Sequence, residues 1–352
     1  MTALKDIIAQ RIRTTGPLTI ADYMELCLLH PQHGYYATRD PFGREGDFIT
    51  APEISQIFGE LCGLALTQSW LDQGQPAPFT LAEPGPGRGT LMNDMRRAMR
   101  AAPGATEAAQ IALIERSPHL RQVQRDLLGP VLHLEDVTEL PDQPLFMVAN
   151  EFFDALPVRQ FQRVENGWAE RVVGLGEQGL RIGLAPPVDL PRQGRIGDVV
   201  EDCAAGVVII SAIAARIAAQ GGAAIVIDYG GWNGVGDTFQ AVRNHRSEHP
   251  LDNPGEADLT AHVDFAPLAA AALRAGVEVS RPIHQGDWLM SLGAETRARR
   301  LAEAGDTGAM AALRRLTHGD EMGHLFKAMA IWPKGAPAVP GFDALRLHAN
   351  DT

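Results

Sequence analysis

Between Pro78 and Met95 the chain reads PFTLAEPGPGRGTLMNDM, which allows little besides a strand, a tight turn and a helix. Phe79, Leu81 and Ala82 form a short apolar run that ends on Glu83. Gly85, Gly87 and Gly89 then alternate with other residues, and Leu91, Met95 and Met99 recur at the spacing of one helix face. This is the opening unit of a nucleotide-binding α/β sheet, in which ligands sit beyond the carboxyl ends of the strands. Glycine admits positive φ and puts no Cβ between backbone and ligand. The helix that follows offers free N–H groups at its start.

A carboxylate beside such a turn repels a pyrophosphate and attracts an ammonium group. The dinucleotide fingerprint G-x-G-x-x-G/A is also incomplete, since counting from Gly85 its last position is Thr90. A cationic nucleoside without phosphate fits better, and S-adenosylmethionine, with an amino group and a sulfonium, has that chemistry. A glycine-rich turn without a ligand is the plain alternative. Further acids repeat the signal. Ile111–Ile114 is a buried-strand pattern ending on Glu115, placed to accept hydrogen bonds from a ribose diol. Val131–Leu134 leads to Asp136, at the position of a third strand tip where an adenine amino group would lie. Each acid alone reads as a solvated strand end. Three at successive tips read as a binding edge.

Composition narrows the partners. With 31 Lys and Arg against 43 Asp and Glu the net charge is −12, which argues against a broad phosphate-binding surface and so against a nucleic-acid partner. Cys27, Cys62 and Cys203 are odd in number and show no C-x-x-C spacing, so neither disulfides nor a zinc site is expected. Asp258, His262 and Asp264 lack a second His or Cys at ligand spacing and read as capping and surface groups, leaving no metal site. No apolar run reaches the roughly 18 residues of a membrane span.

Along the chain, residues 2–14 and 19–29 read as helices, followed by a Gly- and aromatic-rich loop. Within it Gly46-Asp47-Phe48-Ile49-Thr50 is a candidate for ligand contact, and a helix is expected from Pro52 to Trp70. Residues 1–75 thus form a helical, substrate-side extension to an α/β domain over 76–352. The fourth strand, Leu145–Ala149, ends in Asn150-Glu151-Phe152-Phe153-Asp154. Asn150, Glu151 and Asp154 form a second candidate site on the edge of Glu83, able to hold an amine or guanidinium and orient its lone pair. Alternating runs with Asn166-Gly167 and Gln178-Gly179 turns mark a small antiparallel insertion over about 158–205. A helix over 207–219, a strand over 223–227, an irregular stretch over 231–260, helices over 266–275 and 287–316, and strands over 276–280 and 325–332 complete the reading.

These landmarks resemble the MidA-like family of S-adenosylmethionine-dependent methyltransferases, relatives of the mitochondrial complex I assembly enzymes. The resemblance rests on GDFITAPEISQIFGE at 46–60, EPGPGRGTLMNDM at 83–95, IERSPHLRQVQ at 114–124, NEFFDALPV at 150–158, VIDYG at 226–230, DLTAHVDF at 258–265 and MGHLFKAM at 322–329. It implies a class I methyltransferase fold, Rossmann-like, with a seven-stranded, mostly parallel sheet and an antiparallel last hairpin. It implies methylation of a protein arginine, with a complex I subunit as target. It puts Glu83, Gly85, Gly87 and Gly89 in the cofactor motif, Glu115 at the ribose, and Asn150 to Asp154 facing the reacting methyl. The expected mechanism is in-line displacement, with Glu151 and Asp154 orienting the guanidinium and accepting its proton, and Asn150 or Asp47 assisting. The N-terminus, an amphipathic helix pattern without an obvious presequence, predicts a cytoplasmic setting. A nicotinamide-dependent oxidoreductase and a non-catalytic assembly factor are the rival readings. Glu83 and the incomplete fingerprint speak against the first, and the intact cofactor residues against the second. The oligomeric state is left open.

Overall fold

The computed structural model describes residues 3–38, 49–343 and 345–347. The chain divides into two compact units. One comprises Met1–Phe48, Asp154–Gly206 and Gly231–Asp264, the other Ile49–Phe153, Val207–Gly230 and Phe265–Thr352.

The second of these is an α/β unit. In chain order its main elements are α1 (Gln56–Asp72), β1 (Phe79–Pro84), α2 (Thr90–Met99), β2 (Ala109–Ile114), α3 (Pro118–Leu128), β3 (Leu132–Leu134), β4 (Leu145–Asn150), α4 (Ala204–Gln220), β5 (Gly222–Gly231), β6 (Glu278–Val279) and β7 (Phe326–Trp332). The strands follow the order β6-β7-β5-β4-β1-β2-β3. β3, β2, β1, β4 and β5 pair in parallel, whereas β7 runs antiparallel to both β5 and β6. The sheet is therefore mixed, and among the described residues it counts nine strands because two short ones lie off this path, among them Ile283–His284 beside β7.

Residue pattern explains the layers. β1 and β4 are buried at every position, as the centre of a sheet covered on both faces requires. In α4 the buried residues Ile210, Ile213, Ala214 and Ile217 repeat at helical spacing. Successive strands after β1 go one way, to β2 and β3, and those from β4 go the other. The order reverses between β1 and β4, where open α/β sheets leave a crevice beyond the carboxyl ends of the strands.

Two glycines bring helices together. A Cβ on Gly59 would stand 2.6 Å from Asp94 Cβ, and one on Gly63 2.7 Å from Met95 Cα, so α1 lies directly against α2. The helix expected from Pro52 to Trp70 is broken at Ser55, whose extended backbone separates Ala51–Ile54 from α1 and whose hydroxyl caps Ile57 N–H. The helical run expected over 287–316 is three helices, Gln285–Ser291, Ala294–Glu303 and Ala309–Thr317, because Gly293 and Gly305 take φ of 90° and 103°.

The other unit is built on Ala3–Thr15 and Ile20–Leu29, the second opened by a capping box between Thr19 and Asp22. Its antiparallel sheet runs Leu18–Thr19, Gly167–Gly176, Arg159–Val164, Val199–Asp202, with Gly179–Val188 paired to Gly167–Gly176. The stretch over 231–260 is less irregular than expected. Gln240–Arg243 and Arg246–Glu248 form a hairpin whose turn residues Asn244 and His245 take φ of 52° and 58°, and Asp258–Thr260 adds a third strand. No helix among the described residues is long and apolar enough to cross a membrane.

Candidate active site

The turn after β1 is left-handed at three positions: φ is 62° at Gly85, 51° at Gly87 and 86° at Gly89. Any side chain would be strained there. Gly85 N–H donates to Ile114 O at 3.0 Å, and Gly89 N–H to Pro86 O at 2.8 Å, where Gly89 opens α2. A Cβ on Gly85 would press on the Phe152 ring at 3.1 Å. The next side chain, Thr90, donates its hydroxyl to Glu53 Oε1 at 2.7 Å.

Glu83 sits at the carboxyl end of β1 and is only 4% exposed. Burial pushes its carboxyl well above the ordinary range, and a hydrogen bond from Met92 N–H pulls the other way. Its Oε2 is buried and meets no hydrogen-bond partner among the described residues. A buried charge in that position is costly until a cation or donor reaches it. An ammonium-bearing, phosphate-free ligand supplies what this carboxylate lacks, so the site fits S-adenosylmethionine on its own chemistry.

At the tip of β2, Glu115 Oε1 accepts from Ser117 N–H at 2.8 Å and Oε2 from Gln124 Nε2 at 3.4 Å. Burial raises its carboxyl, with those hydrogen bonds opposing. Gln124 is fully buried on α3, and its Nε2 also donates to Gly87 O at 2.6 Å. Sequence reasoning missed it. The available signal was an amide on the stripe formed by Leu120, Gln124 and Leu128, the buried face of an otherwise amphipathic helix. Asp136 is different. It is half-buried, and its Oδ1 accepts from Thr138 N–H at 2.9 Å and Thr138 Oγ1 at 2.8 Å, capping the turn Val137–Glu139. Those two bonds hold its carboxyl below the usual range.

At the tip of β4, Asn150 is 8% exposed and donates from Nδ2 to Glu151 Oε1 at 3.2 Å. Its Oδ1 is buried without a hydrogen-bond partner among the described residues. Glu151 holds φ at 49°, a conformation that a non-glycine residue keeps only where its surroundings enforce it. Two bonds enforce it: Glu151 N–H donates to Ile227 O at 3.0 Å, and Oε1 accepts from Ala51 N–H at 3.2 Å. Phe153 N–H is held by Asp228 Oδ2 at 3.0 Å. Within the α/β unit the strand tips thus carry Glu83, Glu115, Asn150 and Glu151 around the glycine turn.

Asp154 belongs to the other compact unit. There it is buried, its carbonyl accepts from Ala261 N–H at 3.0 Å, and its charge acts with that of Asp258 on Tyr36, whose hydroxyl donates to Asp258 Oδ1 at 2.9 Å. Burial first, then these carboxylates, push the Tyr36 phenol well above its ordinary range. Asp47 lies outside the described residues.

The model of a family of S-adenosyl-L-methionine-dependent methyltransferases matches residues 61–283. The chain belongs to this family. The methyltransferase is similar to the protein arginine methyltransferase NDUFAF7, mitochondrial, of Xenopus tropicalis, at 34% identity over 98% of this chain and 90% of that protein. It is similar to the Homo sapiens protein of the same name at 37% identity over 83% of this chain and 74% of that one. A solved structure from Burkholderia thailandensis bound to S-adenosyl-homocysteine superposes with a TM-score of 0.86 at 26% identity, covering 99% of this chain and 96% of that one. S-Adenosylmethionine is therefore the cofactor, and the nicotinamide alternative falls. The expected cytoplasmic setting is overturned as well, because these relatives are mitochondrial proteins. The amphipathic helix Ala3–Thr15 carries no weight against an organelle, since transit segments are themselves amphipathic.

Proposed function

We propose that this methyltransferase places a methyl group on an arginine side chain of a protein, with a respiratory complex I subunit, as the family resemblance implies, for target and complex assembly as the purpose. The observation that carries the reading is the pair of adjacent strand tips. Glu83 keeps a buried carboxylate oxygen without a partner among the described residues, beside the glycine turn, and Asn150 and Glu151 stand at the next strand over. The strand path β3-β2-β1-β4-β5-β7-β6, with β7 antiparallel, is read here as the seven-stranded class I methyltransferase core.

Glu83 holds the cofactor's amino group, the backbone of Gly85, Gly87 and Gly89 lies along it, and Glu115 takes the ribose hydroxyls. Asp136 is assigned to the adenine edge, with its Thr138 bonds fixing its orientation. When bound, S-adenosylmethionine supplies an electrophilic methyl on a sulfonium. A guanidinium is protonated at any physiological pH, so the attacking nitrogen would shed a proton as the new N–C bond forms and the methyl–sulfur bond breaks, leaving the neutral thioether S-adenosylhomocysteine. Glu151, fixed by Ala51 N–H and Asn150 Nδ2, holds the guanidinium and accepts that proton. Asn150 Oδ1 takes a second guanidinium N–H and so aims the lone pair.

The test is a labelled-methyl assay on arginine-containing protein fractions, with amino-acid analysis of the product. Label on arginine is expected, with kcat lowered roughly a hundredfold in Glu151→Gln and the cofactor KM little changed. Label confined to other residues refutes the arginine assignment. Tight cofactor binding without transfer to any protein favours the non-catalytic assembly factor.

A further inference from the structure

Gln124 has no part in the reading above, yet its amide joins two of the groups assigned to the cofactor. Nε2 donates to Gly87 O at 2.6 Å and to Glu115 Oε2 at 3.4 Å, while Oε1 faces His133 Nε2 at 2.9 Å. The side chain is fully buried, so no water competes for these bonds. With Nε2 donating to a carbonyl and a carboxylate, Oε1 is the acceptor toward His133, and the neutral imidazole carries its proton on Nε2. The amide orientation is thus fixed from three sides.

The mechanical consequence concerns the turn. Three left-handed glycines give it little stiffness of its own. Gly87 lies between β1 and α2, outside both ladders. The bond from Gln124 ties its carbonyl to α3, and the same amide holds the β2-tip carboxylate. We propose that Gln124 is a positioning residue that locks the glycine turn to Glu115, so that the turn lying along the cofactor's amino-acid chain and the carboxylate receiving its ribose stand in one fixed relation before it arrives. This rests on the reading of the turn and Glu115 as cofactor-binding. Gln124 acts through them, and its role belongs to cofactor affinity, not to the methyl-transfer step.

The experiment is calorimetric titration of the full-length protein with S-adenosylhomocysteine, paired with steady-state methyl transfer. Gln124→Met keeps the shape and removes the donor; Gln124→Glu keeps the shape and the acceptor for His133, and guards against one variant failing to fold. For each, the Kd and the S-adenosylmethionine KM are expected to rise about tenfold, the worth of one or two buried hydrogen bonds, with kcat within about twofold. In a Glu115→Gln background the Gln124→Met effect shrinks, because the two residues act as one unit. Wild-type affinity in a folded Gln124 variant, while Gly87→Val loses binding, overturns the proposal. So does an equal fall in kcat that is additive with Glu115→Gln, which marks a general packing role. If Gly87→Val and Glu115→Gln both bind like wild type, the cofactor reading fails first and takes this inference with it.

Discussion

A carboxylate raised by burial stabilises a fold with the opposite pH sense from one held in an ion pair, and Glu83 is of the first kind. Its native form binds a proton more readily than the unfolded chain does. Its contribution is complete below the unfolded carboxyl value and is lost as pH rises from there through the folded value. Ligand-free protein is therefore expected to lose stability from this residue as pH rises above about 4.5. Glu83→Gln should flatten that slope in urea melts and leave the ligand-free protein at least as stable at pH 8. The same variant should bind S-adenosylhomocysteine roughly tenfold to a hundredfold more weakly, because the ammonium loses its charged partner. A variant that is both less stable at pH 8 and normal in affinity would show Glu83 to be a structural acid.

Elements matter through α1 and α2, since α2 begins at the turn. Gly63→Ala puts a methyl within 2.7 Å of Met95 backbone atoms, and neither helix can yield locally. A loss of about 1–3 kcal/mol in chemical denaturation is expected, with weaker cofactor binding as α2 is pushed aside. Glu60 clamps the same pair. Its carboxylate takes Arg97 at 3.0 Å and Arg297 through two bonds. Burial raises its carboxyl, and the two arginines more than offset this, so its net shift is downward. Its stabilisation is present above the unfolded carboxyl value and is lost as pH falls through the folded one. Glu60→Gln should remove part of the acid-unfolding transition below about pH 4.5, seen as a smaller change in midpoint on acidification.

How far the elements were legible follows from how local their causes are. The strand, turn and helix at 79–99 were readable because apolar period, glycines and helix face all lie within one short stretch. The hairpin at 240–248 was not, because Asn244 and His245 make its tight turn without a glycine between strands of three and four residues. Gln124 escaped notice because its partners, Gly87, Glu115 and His133, come from three other segments. That Asp154 joins a different compact unit from Glu151 has no mark in composition, since the boundary falls inside one continuous motif.

For the whole molecule the net charge of −12 sets how an acceptor is met. An arginine-bearing, basic protein segment is attracted to an acidic surface, and salt screens that attraction. With such an acceptor kcat/KM should fall several-fold between about 0.05 and 0.3 M salt, mostly in KM. Titration with S-adenosylhomocysteine over the same range should change far less, because its contacts are short and enclosed. An acceptor KM indifferent to salt would argue for an uncharged target.

Diffraction from crystals grown with S-adenosylhomocysteine would show where the cofactor lies. The expected map has its amino group within hydrogen-bond distance of Glu83 Oε2, its ribose hydroxyls on Glu115, and its chain along Gly85, Gly87 and Gly89. A map with the ligand on another edge of the sheet, or bound while Glu83 Oε2 still meets no polar atom, would contradict the site described above.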